Sequence, residues 1–178
     1  MPVPYYRIEL RNIPKRYQTE SLLKVLPTSP LLLKREVEKF ARYFLHEFRY
    51  DSIQFDKNDH GPYTAYLFAD GDKSVWTGAC CFRNRKFHSI DMEVEALQWI
   101  WLHPYSRSRG ILSACWEGFR ANHGDFYVEP PISPSMREFL LKHNKDSAWY
   151  PTFQGKKPDL AEIKTKVMGE RVKQLGLG

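Results

Sequence analysis

The stretch WIWLHPYSRSRGIL, residues 99–112, decides the fold of this chain. It opens as an apolar run of strand length, which ends at Pro104 because proline cannot donate to a strand ladder. Gly110 then precedes a segment whose apolar residues recur every three to four positions, as on one face of a helix. The first N–H groups of a helix have no partner within it and lie at the positive end of its dipole. The stretch therefore predicts a strand, a loop and a helix whose start can bind an anion.

Two arginines stand in the predicted loop. Arg107 and Arg109 flank the helix start and can add charge-assisted hydrogen bonds to phosphate oxygens. An ordinary strand-to-helix turn with solvated arginines accounts for the same residues. The residues alone leave both interpretations open.

Periodicity and turn signals predict the elements around this stretch. The predicted elements are a strand at 6–10, a brief helix from Thr19 to Leu26, a helix at 34–48, strands at 63–68, 75–82 and 92–103, a helix at 111–122, a strand at 125–129, a helix from Pro134, and an ambiguous aromatic segment at 147–153 that can add a final strand. The strands at 63–68 and 75–82 flank an Asp-Gly turn signal, which favours an antiparallel hairpin. Three successive strands build most of an antiparallel sheet.

Composition narrows the class of protein. A chain of 178 residues provides one compact domain, and its 42% hydrophobic and 15% aromatic residues exclude disordered, collagen-like and coiled-coil chains. No uncharged apolar run approaches the roughly 18 residues of a membrane span, and the first residues lack the apolar core of a secretory signal. Only 3 cysteines occur, which supports neither a disulfide framework nor a four-ligand zinc site. We expect a cytoplasmic protein with no metal and no membrane partner.

The chain is mildly basic. A net charge of +6 favours anionic partners such as nucleotides, phosphates or RNA. The lysines and arginines are scattered rather than grouped in one block, so a solvated basic surface is the favoured interpretation. Nucleic acid stays open as a partner class without being the favoured one.

The run at 99–111 resembles the acetyl-CoA-binding motif of the GNAT superfamily of N-acetyltransferases. In that family a hydrophobic strand leads through a proline step into an Arg/Gln-x-x-Gly-x-Gly/Ala loop. Arg107 and Gly110 match this loop, whereas Leu112 stands where the family usually has Gly or Ala. The order of elements is also similar over about residues 6–144. The resemblance implies a GNAT-like α/β fold of the α+β type, with a mostly antiparallel central sheet of about six or seven strands flanked by helices.

The resemblance also implies acetyl-CoA as cosubstrate and indicates where it binds. The main chain of the central strand would hold the pantetheine arm and polarise the thioester carbonyl, and the helix start would hold the pyrophosphate. The implied cofactor-binding residues are Trp101, Leu102, His103, Arg107, Arg109, Gly110, Ile111, Leu112 and Ser113.

An attacking amine must lose a proton, which calls for a carboxylate or a histidine. Glu93 and Glu95 lie at the start of the central strand, on one face if that strand is regular. Glu95 sits about where some family members carry a catalytic glutamate and is the first choice, with Glu93 second. Solvated strand-edge carboxylates are the alternative interpretation. The family's tyrosine that protonates the departing thiolate is matched here by Phe139, which has no proton to give.

The resemblance thus favours an N-acetyltransferase that moves an acetyl group from acetyl-CoA to an unidentified amine by direct attack in a ternary complex. Residues 1–155 would form the GNAT-like domain, and 156–178 a basic amphipathic helix that belongs to it or packs on it. Leu112 and Phe139 support an alternative, a catalytically silent domain of this fold that binds acyl-CoA or an anionic macromolecule such as RNA. A third hypothesis is an RNA-binding module, favoured by the charge and the aromatic content.

Overall fold

The computed structural model describes residues 7–174, with side chains described up to residue 169. The strands in this range are β1 Leu22–Val25, β2 Thr64–Ala69, β3 Trp76–Phe87, β4 Met92–Leu102 and β5 Tyr127–Val128. The helices are α1 Leu31–Phe48, α2 Ile111–His123, α3 Pro134–His143, α4 Tyr150–Phe153 and α5 Leu160–Gln174. None of the helices in the described range is both long enough and apolar enough to cross a membrane.

The strands form one sheet in the order β1-β2-β3-β4-β5. β1 and β2 run antiparallel, with Leu22 opposite Phe68, and β2 and β3 run antiparallel as well. β5 runs parallel to β4, with Ala96 opposite Tyr127. The predicted α+β class with a mostly antiparallel sheet is confirmed. The count of six or seven strands is wrong, since the described residues form five.

The predicted opening strand and the predicted helix after it are both wrong. Residues 7–10 form no strand, and Tyr6 lies outside the described residues. The segment from Thr19 to Leu26 contains β1 instead of a helix, and its Val25 is fully buried. A helix this short is only marginally stable, whereas pairing with β2 satisfies the backbone groups and buries the side chain.

The aromatic segment at 147–153 adds no strand to the sheet. It forms the short helix α4, which begins after Trp149. Trp149 and Phe153 are fully buried, so the aromatic content of this segment serves the core. The sheet therefore ends at β5.

The chain divides into two compact units, of which the first comprises the residues up to Phe82 together with Gln98–Ile111. Its core lies between α1 and the sheet. Val37 and Phe40 of α1 are fully buried there, in the same apolar cluster as Trp99 and Trp101 of β4. The apolar stripe predicted for residues 34–48 is therefore the face that α1 turns to the sheet.

The second unit comprises Arg83–Leu97 together with the residues from Leu112 onward. Trp116 and Phe119 of α2 are buried in it. α5 also belongs to this unit: its Ile163 and Val167 are buried, and Lys164 Nζ donates to the Ile90 carbonyl at 2.6 Å. The expected division of the chain at residue 155 stays a prediction.

Candidate functional site

The loop between β4 and α2 has an unusual backbone. Ser108 and Gly110 adopt φ values of 58° and 78°, in the left-handed region that favours glycine. No heavy atom lies within 4 Å of the point where a Cβ on Gly110 would stand. The backbone angle rather than crowding therefore favours glycine at this position. α2 begins at the next residue, Ile111, and the predicted strand, loop and helix are confirmed as local structure.

The loop crest and the start of α2 offer donors to an anion. The N–H groups of Leu112 and Ser113 have no acceptor within the helix, since they belong to its first turn. Gly110 and Ser113 are exposed. Arg109 is exposed too, and its side chain has no ion-pair or hydrogen-bond partner among the described residues. This crest is positively charged and accessible to a phosphate group.

The side chain of Arg107 makes its hydrogen bonds within the protein. Its Nη1 and Nη2 atoms donate to the two carboxylate oxygens of Glu47 on α1, at 2.7 and 2.6 Å. Its Nε donates to the Leu102 carbonyl at 2.9 Å. Arg107, which the resemblance assigns to the cofactor, thus joins the loop to α1 and to the last residue of β4.

Glu47 is a residue that sequence reasoning missed. Besides pairing with Arg107, its Oε2 accepts a hydrogen bond from Trp101 Nε1 at 2.7 Å. Partial burial acts to raise the pKa of Glu47, but the hydrogen bonds from Arg107 and Trp101 together with the Arg107 charge hold that pKa below its ordinary value. Glu47 is therefore ionised at neutral pH. Arg107 lies 60 residues away in the sequence, so no local pattern connects the two.

The three residues assigned to the pantetheine arm, Trp101 and Leu102 of β4 and His103 after it, differ in what they can offer. The Trp101 side chain is 1% exposed and stacks on Phe40, with ring centroids 5.6 Å apart. His103 N donates to the Thr77 carbonyl of β3 at 2.7 Å, so this N–H is already used. The side chains of Trp101 and Phe40 therefore serve the core and are not available to a ligand.

Over residues 98–102, β3 is the sole strand neighbour of β4 among the described residues, since the β5 pairing ends at Leu97. Main-chain groups of successive residues alternate between the two edges of a strand. Because His103 N points to β3, the N–H group of the preceding residue, Leu102, points to the open edge.

Gly78 on β3 permits the close approach of the two strands at this point. A Cβ on Gly78 would lie 2.7 Å from Leu102 Cδ2 and would also collide with the Trp101 carbonyl oxygen. Only glycine leaves room for this part of β4. Gly78 therefore helps to place the open edge.

The predicted catalytic carboxylates lie on the first half of β4, in the second unit. Glu93 is exposed and Glu95 is half-buried, and both alternate with buried neighbours, as residues on one strand face do. Glu95 Oε2 lies 3.5 Å from Nδ1 of His123, whose side chain is only 5% exposed. Glu95 thus has a neighbour that can orient its carboxylate.

A second carboxylate in this unit was not singled out from the sequence. Glu129 follows β5, is half-buried, and forms a 3.6 Å ion pair with Arg85. Burial raises the pKa of Glu129, although the Arg85 charge acts against this rise. Burial and the Glu129 charge likewise raise the pKa of Tyr127, two residues before it. A carboxylate with a raised pKa is suited to accept a proton near neutral pH.

Phe139 cannot transfer a proton, because its side chain carries none, and burial makes Cys115 a poor nucleophile. The Phe139 ring packs on Trp116 at 5.0 Å and on His143 at 4.5 Å between centroids. Burial raises the pKa of Cys115 to about 12, so this cysteine is a neutral thiol at physiological pH. The part of the chain that the structure describes holds no group of three or more potential metal ligands.

Comparison with known proteins gives matches in structure only. No protein-family model matches the chain, and no curated protein matches its sequence. A ribosomal-protein-alanine N-acetyltransferase from Brucella melitensis biovar Abortus 2308 superimposes with a TM-score of 0.48 at 14% identity, over 70% of this chain and 91% of that one. An acetyltransferase from Trypanosoma brucei gives 0.44 at 11% identity, over 68% and 89%. An aminoglycoside acetyltransferase from an uncultured soil metagenomic sample gives 0.43 at 10% identity, over 71% and 89%. At these scores the function has to be argued from the chain's own residues.

Proposed function

We propose that this protein is an acetyl-CoA-dependent N-acetyltransferase of the GNAT type. The observation that carries the proposal is the continuity of three features along residues 98–113. An open main-chain edge on β4 is followed by an exposed, positively charged loop, and that loop leads into the first turn of α2. A long ligand with an amide-containing arm and a pyrophosphate suits this arrangement, because the edge pairs with amides and the helix start with phosphate.

In the proposed complex, the pyrophosphate of acetyl-CoA accepts hydrogen bonds from the N–H groups of Gly110, Leu112 and Ser113, with Arg109 supplying charge. The pantetheine arm lies along the edge of β4, where the Leu102 N–H group points outward. A preorganised N–H group on this edge polarises the thioester carbonyl and stabilises the oxyanion that develops on it.

The reaction joins the amine nitrogen to the acetyl carbon and breaks the carbon–sulfur bond of the thioester. The amine proton passes to a base, and the departing CoA thiolate takes up a proton. We assign the base to Glu95, with Glu93 as the weaker candidate, because Glu95 is half-buried beside His123. Glu129 is the carboxylate that would replace it if Glu95 proves dispensable.

Binding of acetyl-CoA tests the proposal, and calorimetry and ligand-dependent thermal unfolding measure it. At a concentration of 100 times Kd, a ligand that binds only the folded state stabilises it by about 2.7 kcal/mol. Gly110→Glu places a bulky carboxylate at the phosphate site and should abolish binding. Gly118→Glu is the matched control, because Gly118 is an exposed glycine of α2 with no heavy atom within 4 Å of its Cβ position. A folded Gly110→Glu protein that binds CoA as tightly as the parent would refute the assigned site.

A catalytically silent acyl-CoA-binding domain is the second candidate. The packing of Phe139 between Trp116 and His143 favours it, since no hydroxyl is present at the position that the family resemblance assigns to a tyrosine acid. Thiol release from acetyl-CoA in the presence of a panel of primary amines separates the two. Binding without turnover on any amine class supports the silent domain.

A further inference from the structure

Glu47 accepts three hydrogen bonds from the end of β4 and from the loop that follows this strand. Two come from the Arg107 guanidinium and one from the Trp101 indole. The side chains of Arg107 and Glu47 are 37% and 27% exposed, so the pair is partly shielded from water. A bidentate pair of this geometry fixes the orientation of the guanidinium more strictly than a single contact does.

Because Arg107 is paired with Glu47, Arg109 is the arginine of this loop that is available to bind a phosphate. Arg107 uses its Nε, Nη1 and Nη2 for Leu102 and Glu47, and the Glu47 carboxylate neutralises its charge. Arg109 is exposed on the loop crest and has no partner in the described part of the chain. The two arginines therefore differ in role despite being only two residues apart.

We propose that Glu47 is a positioning residue for the phosphate site, which acts through Arg107, and that Arg109 is the arginine that contacts phosphate. This inference rests on the proposed function. The loop carries two residues in the left-handed region, Ser108 and Gly110, and the Glu47–Arg107 pair holds the base of this loop against α1. Holding the loop in its binding conformation beforehand reduces the ordering cost when the ligand arrives.

The experiment compares CoA with pantetheine, which has the same arm without the nucleotide and its phosphates. Glu47→Gln keeps the size of the side chain but removes its charge and one acceptor for Arg107. We expect it to weaken CoA binding about tenfold, as for loss of one charge-assisted contact, and to leave pantetheine binding unchanged. Arg109→Ala should likewise weaken CoA binding about tenfold and leave pantetheine binding unchanged. Calorimetry measures both ligands, and thermal unfolding verifies that each variant is folded.

Glu38→Gln is the matched control. Glu38 lies on the same helix and pairs with Arg42 and Lys57, both at 3.3 Å. Its loss removes ion pairs from α1 without touching the loop, so both ligands should bind as they do to the parent. A general loosening of α1 would instead make Glu38→Gln resemble Glu47→Gln.

A double-mutant cycle that combines Glu47→Gln with Arg107→Ala tests whether Glu47 affects CoA binding through Arg107. If Arg107 acts with Glu47 as one unit, the double variant binds CoA no more weakly than the weaker single variant. Additive losses would mean that Arg107 contacts the phosphate itself, and this result would overturn the proposal. Equal losses for CoA and pantetheine in Glu47→Gln would overturn it as well. A parent protein that binds no CoA would refute the proposed function and this inference with it, whereas CoA binding unaffected by Glu47→Gln refutes the inference alone.

Discussion

Gly78 of β3 lies so close to Trp101 of β4 that a single methyl group between them would collide with the Trp101 carbonyl oxygen. The contact involves the strand segment whose opposite edge is open. Trp101 is also the residue whose indole reaches Glu47. The position of the proposed pantetheine edge therefore depends on a glycine that is not itself a ligand.

Gly78→Ala should destabilise the protein. The added Cβ would meet main-chain atoms that cannot rotate away, so β3 and β4 must separate, at a cost of about 1–3 kcal/mol. Denaturant unfolding measures the loss. Gly71→Ala is the control, because nothing lies within 4 Å of its Cβ position, and it should change stability by less than about 0.5 kcal/mol. Equal stability of the two variants would contradict the close approach.

Glu95→Gln should slow acetyl transfer while leaving CoA affinity nearly intact. Removing a general base typically costs about 10²–10⁴ in rate. Glu93→Gln serves as the control on the same strand face and should have the smaller effect. Single-turnover measurements with an amine that the parent acetylates give the rates. If Glu95→Gln turns over normally and Glu129→Gln does not, the base is Glu129, whose pKa is raised by burial.

The contribution of Glu47 to stability should depend on pH. The hydrogen bonds and charge of its partners hold the pKa of Glu47 below its ordinary value against the opposing effect of burial. A carboxyl group with a lowered pKa in the folded state stabilises the fold above the pKa it has in the unfolded chain, and this contribution is lost as pH falls through the folded-state value. The Tm difference between the parent and Glu47→Gln should therefore be largest near neutral pH and shrink below about pH 4 to 5. A Tm difference that is constant with pH would show that the charge of Glu47 does not contribute to the stability of the fold.

Phe139→Tyr should change the rate by less than about tenfold, or ~1.4 kcal/mol of barrier. The CoA thiol has a pKa close to that of free cysteine, about 8.5, so its thiolate leaves without help at little cost near neutral pH. The ring already packs on Trp116 and His143, and a hydroxyl adds only a donor. Single-turnover transfer measured from about pH 6 to 9 provides the comparison. A much larger acceleration, without tighter CoA binding, would show that thiolate departure limits the parent.

The long, strongly periodic segments could be predicted from the sequence. The apolar stripe at 34–48 corresponds to α1, and the β-rich runs correspond to β2, β3 and β4. Their patterns are local, because a buried face repeats with the period of the element itself. The N-cap of α3 is a local interaction too, since Ser133 Oγ accepts a hydrogen bond from Met136 N at 3.2 Å.

Short segments could not be predicted in the same way. β1 has four residues and pairs with β2, whose residues lie about forty positions further along the chain. Such a segment has little preference of its own, and its partner decides whether it becomes strand or helix. The aromatic residues around α4 gave no periodic signal either, because their burial depends on distant elements: the Trp149 ring packs on Phe87 of β3 and Tyr127 of β5.

By itself the sequence determined the strand, loop and helix at 99–123, with a glycine before the helix start. These features follow from backbone rules that act over a few residues: proline ends a ladder, glycine adopts a positive φ, and a helix start leaves N–H groups free. Only the tertiary structure decided what the side chains of that stretch do. It pairs Arg107 with Glu47, 60 residues away, and leaves Arg109 exposed. Two arginines in one loop are equivalent in a sequence, and they become different only when a carboxylate from another element lies within hydrogen-bond distance of one of them.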